Sequence, residues 1–177
     1  MRASDPGAVH IRRFRTSEWQ RYRDARLRAL QDSPDAFSTT VDEARRWPEN
    51  DWEARFRSVR VDTDLPLCAE VDGVVAGMAW ARIDAAAPQT AHVYQMWVEP
   101  AHRGRGIGRA LLDEAIAWAL TRGARRVTLG VTCGNTAASR LYAAAGFVPI
   151  GAPEPLRPGS ALLVQTMTLT LDPENAR

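Results

Sequence analysis

The sequence predicts a single domain of mixed α/β class over residues 1–177, one sheet with helices on its faces. Three observations predict it. Strand-like and helix-like stretches follow one another in the order β, α, α, β, β, β, α, β, α, β, β; Asp72-Gly73 stands between two β-rich runs; and a glycine cluster leads directly from a strand into a helix. A chain of 177 residues buries roughly 70% of its unfolded surface, so it needs neither a disulfide nor a metal to hold a core. With 45% apolar and 25% charged residues, the composition is that of a globular chain.

The first strand is read in "VHIRRF" from Val9, and "TSEW" then offers Thr16 or Ser17 as a helix cap. Trp19, Tyr22, Ala25, Leu27, Ala29 and Leu30 fall on one broad side of the helix that follows, with Arg21, Asp24 and Arg28 opposite. Arg23 and Arg26 break that division: each lies within or beside the apolar arc, and either runs out along it to solvent or lines a site. "DSPDAFSTT" ends the helix. A second helical stretch, from about Val41 to Arg60, carries Trp47, Trp52 and Phe56, with Pro48 as a break.

In "PLCAEVDGVVAGMAWARI" the Asp-Gly pair tolerates positive φ at both positions, so the second and third strands form an antiparallel hairpin. "TAHVYQMWVEP", residues 90–100, alternates and is rich in β-branched and aromatic residues; it is the fourth strand, ended by Pro100. Ile107, Leu111, Leu112, Ala115, Ile116 and Leu120 repeat at a helical period up to Gly123. "RRVTLGVT" is a fifth strand, continuous enough to be buried on both faces. "NTAASRLYAAAGF" is a short helix capped near Asn135 or Thr136. A short strand from Phe147 to Ile150 and a last strand in "ALLVQTMTLTL" flank a proline-rich loop.

A net charge of +2 gives no strong field, which disfavours nucleic acid as an obligate partner. All 23 basic residues other than histidine are arginine. The two cysteines, Cys68 and Cys133, lie in apolar runs and are expected reduced and buried rather than paired. The N-terminus has no apolar stretch between its charges, and no apolar run reaches the roughly 18 residues of a membrane span. The expectation is a cytoplasmic protein with no membrane partner.

"EPAHRGRGIGRALLDEA", residues 99–115, sets three glycines and three arginines at the mouth of a helix. A glycine-rich turn there exposes backbone N–H groups, and the helix dipole adds positive charge, so the place suits a phosphate. The P-loop pattern requires a lysine, which the chain lacks. The dinucleotide fingerprint fails as well, since counting from Gly104 the sixth position is Arg109 and the extra glycine, Gly108, comes one residue early.

The remaining pattern is Arg103-x-x-Gly106-x-Gly108 directly after a strand ending in Val-x-Pro. With "VEPAHRGRGIGRALLDEA" followed by "GNTAASRLYAAAGF" across the expected fifth strand, the chain resembles the GNAT superfamily of acetyl-CoA-dependent N-acetyltransferases. The strand order matches that family from about residue 9 to 171. The resemblance implies a largely antiparallel sheet splayed between the fourth and fifth strands. Met96, Trp97 and Val98 would pair their backbone with the pantetheine arm of acetyl-CoA, and Arg103, Gly104, Arg105, Gly106, Ile107 and Gly108 would cradle its pyrophosphate, with Arg109 adding charge. Asn135 would bond the arm, and Tyr142 would be the general acid that protonates the departing thiolate. A backbone N–H near Val98 would hold the oxyanion. Read from the residues alone, Asn135 is a helix cap, Tyr142 a core residue and the three arginines solvated.

The reaction implied is direct attack of an amine on the thioester, with no metal and neither cysteine as nucleophile. The acceptor is expected to be a small-molecule amine. A protein N-terminus or lysine, and a non-catalytic CoA-binding regulator, are the rival readings, and a homodimer is compatible with all of them. The base is left open among Glu70, His92, Tyr94 and Glu99. In this family the first two helices, the loop between them and the late strands build the acceptor site, where this chain has Phe37, Trp47, Trp52 and Arg26. Arg26 either recognises an acidic acceptor or snorkels; snorkelling is the expectation.

Overall fold

The computed structural model describes residues 7–171. The predicted first strand forms as β1 (Val9–Arg13), but neither Thr16 nor Ser17 caps the helix after it. A single 3₁₀ turn intervenes, and Glu18 accepts the Arg15 N–H at 2.8 Å while binding Arg12 and Arg21. The carboxylate that also holds two guanidinium groups displaces the hydroxyls from the capping role. α1 (Trp19–Asp32) follows, and Pro48 divides the next stretch into α2 (Val41–Arg45) and α3 (Glu49–Arg57). Asp72 and Gly73, both at positive φ, turn β2 (Asp64–Val71) into β3 (Val74–Ile83). Then come β4 (Thr90–Val98), α4 (Ile107–Thr121), β5 (Arg126–Thr132) and α5 (Thr136–Ala144).

The C-terminal region departs from the simple reading. The short strand is only Val148–Pro149 (β6), and the proline-rich loop contributes a two-residue strand, Glu154–Pro155 (β7). β8 (Leu163–Thr170) inserts between β5 and β6, giving the order β1-β2-β3-β4-β5-β8-β6 with β7 paired to β8. All pairings are antiparallel except β4 with β5.

Two apolar clusters sandwich the sheet. Alternate residues of β2 divide between them: Leu65, Leu67 and Ala69 face α4, while Cys68 faces α1 and α3 with Tyr22, Trp52, Phe56 and Trp80. The aromatic side is cross-packed edge to face, with Tyr22 touching the rings of Phe14, Phe56, Trp52 and Trp80. β5 alternates rather than being buried on both sides, since Arg126 and Gly130 are exposed while Val127, Leu129 and Val131 are buried. Its second face borders a cavity instead of a helix. Cys133 is exposed and unpaired, because the chain turns after β5 to enter α5; Cys68 is buried as expected.

The splay has a local cause. Trp80 stands opposite Tyr94 but Met78 stands opposite Trp97, so β4 holds one residue more than β3 across that interval. Gln95 takes φ 58 there, and the Tyr22 hydroxyl donates to its Oε1 at 2.7 Å. Parallel pairing of β4 with β5 runs from Thr90 and Arg126 to Val93 and Leu129, then stops. Beyond it Gly130, Val131 and Thr132 pair only with β8.

Candidate active site

The open V between β4 and β5 separates two cavities with a common wall. One, of about 450 Å³, lies over the glycine turn and the first turn of α4. The other, of about 390 Å³, lies between α1, the Phe37–Thr39 segment, β5, β7 and β8. Ala36, Phe37, Met96, Asn135, Ala138 and Tyr142 line both.

The glycine turn is shaped by conformation more than by crowding. Gly104 and Gly106 have φ of +76 and +78, and a Cβ on either would meet nothing within 4 Å. Gly108 differs: its Cβ would stand 3.4 Å from Leu141 Cδ2 and 3.7 Å from Val98 Cγ2, so it sets how closely α4 approaches α5 and β4. Among the described residues, the N–H groups of residues 104–109 find no backbone acceptor; the first bond of the helix is Ala110 N–H to Gly106 O at 3.0 Å. These donors stand where the dipole of α4 begins.

The arginines of this turn are committed within the protein. Arg103 donates to the Val98 carbonyl at 3.0 Å and pairs with Asp32. Arg105 turns away from the cavity, donating to the Gly7 carbonyl at 2.7 Å and meeting His102 Nδ1 at 2.9 Å. Arg109 pairs with Asp113 at 2.8 Å. Burial alone would raise the Asp32 carboxyl, but hydrogen bonds from Ser33, Trp97 and Arg103 outweigh it and hold its pKa below the ordinary value. Trp97 is thereby anchored through its indole N–H, 2.9 Å from Asp32. Glu99 N–H donates to Ala76 O at 2.8 Å, so the alternation of an antiparallel pair turns the Val98 N–H away from β3 and toward the V.

Tyr142 is 5% exposed, and burial pushes its pKa up to about 12. Asn135 caps α5, its Oδ1 accepting the Ala138 N–H at 3.2 Å, while the residue also faces both cavities. Cap and cavity lining are therefore compatible.

The same chain features recur in known proteins. The family model described as "Acetyltransferase (GNAT) family" matches residues 15–147. This chain belongs to the GNAT acetyltransferase family. A mycothiol acetyltransferase of Thermobispora bispora is 34% identical to this GNAT domain over 143 residues, covering 76% of this chain and 46% of that protein. N-alpha-acetyltransferase 40 of Saccharomyces cerevisiae is 37% identical over 100 residues, 52% of this chain and 34% of that protein. The chain thus spans less than half the length of these curated relatives. Among solved structures, a GNAT-family acetyltransferase from Streptococcus pneumoniae superposes with a TM-score of 0.80 at 23% identity, over 93% of this chain and all of that one. The Salmonella typhimurium protein yncA, solved with its cofactor acetyl-CoA, superposes with a TM-score of 0.76 at 25% identity, over 93% and 95% of the two chains.

Most of the base candidates lie outside this GNAT cleft. Glu70 is held by Arg12 and Arg21 at the β1–β2 edge, Glu99 pairs with Arg28, and His92 meets Thr128 Oγ1 at 2.7 Å on the closed part of the β4–β5 pair. Tyr94 does line the second cavity, with burial raising its pKa to about 12. Trp52 is buried in the aromatic core and Trp47 packs on it with ring centroids 5.0 Å apart, so of the aromatics expected at the acceptor site only Phe37 reaches the cavity. Arg26 does not snorkel. It is 6% exposed, lines the second cavity, lies with its guanidinium carbon 4.3 Å from the Phe37 ring centroid, and has a buried Nη1 without a partner. Glu154 is the one carboxylate lining that cavity among the described residues. It was hidden in a proline-rich loop, and only the pairing of β7 with β8 brings it to the site.

Proposed function

We propose that this GNAT domain transfers an acetyl group from acetyl-CoA to a primary amine of a small molecule by direct attack, without an acyl-enzyme. The observation that carries this reading is the meeting of two cavities at Tyr142, one of them floored by unpaired N–H groups at a helix N-terminus. Those donors fit a pyrophosphate, and the Val98 N–H fits an amide oxygen or developing oxyanion beside it. When bound, acetyl-CoA supplies an activated thioester. The chain's own groups do the rest: residues 104–109 grip and orient, the Val98 N–H donates a hydrogen bond to the developing oxyanion, and Tyr142 Oη holds the proton that goes to the leaving sulfur. Glu154 takes the proton that the ammonium form must lose, directly or through one water.

Hydrogen bonds favour a small acceptor. Thr132 Oγ1 donates to Asp35 O at 2.7 Å and Arg157 Nη1 to Phe37 O at 3.0 Å, tying the segment after α1 to β5 and to the loop after β7. These ties hold the Phe37 segment, which lines the second cavity, against β5 and the loop after β7, an arrangement that suits a small acceptor. The relative named mycothiol acetyltransferase supports this reading, while the similarity to N-alpha-acetyltransferase 40 favours a protein N-terminus as the second. A cytoplasmic location, where acetyl-CoA is available, belongs to the same proposal. Thiol release from acetyl-CoA, followed with a panel of small amines beside N-terminal peptides, is the test. Turnover with peptides alone would replace the first reading by the second, and cofactor binding without turnover of any amine would leave a CoA-binding regulator.

A further inference from the structure

α1 carries four arginines, and three of them have carboxylate partners: Arg21 with Glu18 and Glu70, Arg23 with Asp24 and Glu49, Arg28 with Glu99. Arg26, the most buried, has none among the described residues. A buried cation without a counter-charge is costly, and a guanidinium stacked on one phenyl ring is only partly compensated. Burial pulls its pKa down to about 10, which leaves it charged at neutral pH. The stack on Phe37 stands where the two cavities join.

We infer that the acceptor is an amine bearing a carboxylate, which seats against the Arg26 guanidinium while its amino group faces Glu154. The inference rests on the acetyl-transfer reading above. A planar guanidinium fork matches a carboxylate with two parallel hydrogen bonds. Arg26 is the one cation lining the cavity among the described residues, so it balances a monoanion and would leave a phosphate dianion partly unpaired. Arg26 and Glu154 together give the cavity one charge of each sign, the complement of a zwitterion.

The test compares α- and ω-amino acids with their carboxamides as acceptors, in the wild type and in Arg26→Met. The wild type should favour the acids by tenfold or more in kcat/KM, chiefly through KM, and the variant should bring that ratio close to one. Melting temperature serves as the control: Arg26→Met exchanges an unpaired buried charge for an apolar chain of similar length and should melt no lower. Equal rates for acids and amides in the wild type, or a ratio unchanged in the variant, overturn the inference while acetyl transfer stands. If no amine is acetylated, calorimetric titration with 4-aminobutyrate decides separately. Binding that Arg26→Met abolishes keeps the carboxylate site and sinks acetyl transfer; its absence in the wild type sinks both.

Discussion

The general-acid role proposed for Tyr142 requires that its hydroxyl keep its proton. The hydroxyl stays protonated up to about pH 12, so it holds a proton at every physiological pH; passing that proton to a thiolate whose conjugate acid has an ordinary pKa near 8.5 is uphill taken alone and is coupled to collapse of the tetrahedral intermediate. Tyr142→Phe should bind acetyl-CoA about as tightly as the wild type and lower kcat by roughly 10²-fold or more, as removal of a general acid does. Stopped-time thiol release beside a binding titration separates the two. Glu154→Gln is expected to lower kcat/KM by at least roughly tenfold at pH 7 and to recover toward the wild type as the pH approaches that of the free amine, near 10. An unaltered pH profile would move the base elsewhere. The glycine turn was legible as a strand-to-helix connection from its residue types, whereas Tyr142 was singled out only by the resemblance, its residue type alone reading as core. Arg26 was not legible, because periodicity places a side chain on a face without saying whether the neighbouring layer leaves it a route to solvent.

Among the elements, the start of α1 is held by charge. Glu18 accepts from both terminal nitrogens of Arg12 at 2.8 Å and from Arg21 at 2.7 Å, joining α1 to β1, and through Glu70 to β2. The bond from Arg12 is the main reason its pKa falls from 4.5 to about 2. A carboxylate with a depressed folded value contributes stability that is complete above 4.5 and lost as the pH falls toward 2. Glu18→Gln should therefore cost about 2–3 kcal/mol at pH 7 and almost nothing near pH 2, read from urea midpoints across that range. The Asp-Gly hairpin, the proline break between α2 and α3 and the helix after the glycines could all be read from local chemistry. β7 could not, since two residues in a proline-rich loop become a strand only when β8 lies alongside, and the insertion of β8 between β5 and β6 is equally nonlocal.

For the molecule as a whole, one extra residue in β4 has consequences at both ends of the cleft. It ends the pairing with β5 after Val93, opens the V, turns β4 toward the unpaired amides of the glycine turn, and leaves the opposite side of β5 free to border the second cavity. The bulge itself carries no sequence signature, because Gln95 is an ordinary residue in an alternating strand, and its positive φ is supported from α1 by Tyr22. The fold class and the splay were thus foreseeable by resemblance, whereas the lining of the second cavity depended on loops whose partners lie far away in sequence.

The central claim is that backbone amides, more than arginine side chains, hold the diphosphate of acetyl-CoA at the start of α4. Calorimetric titration of acetyl-CoA into the wild type, Gly106→Val and Arg105→Ala tests it most directly, with circular dichroism confirming that each variant is folded. The account predicts one site per chain, affinity lowered at least roughly tenfold by Gly106→Val because valine disfavours the left-handed conformation, and little change for Arg105→Ala. No binding by the wild type, or a loss in Arg105→Ala as large as that in Gly106→Val, would contradict it.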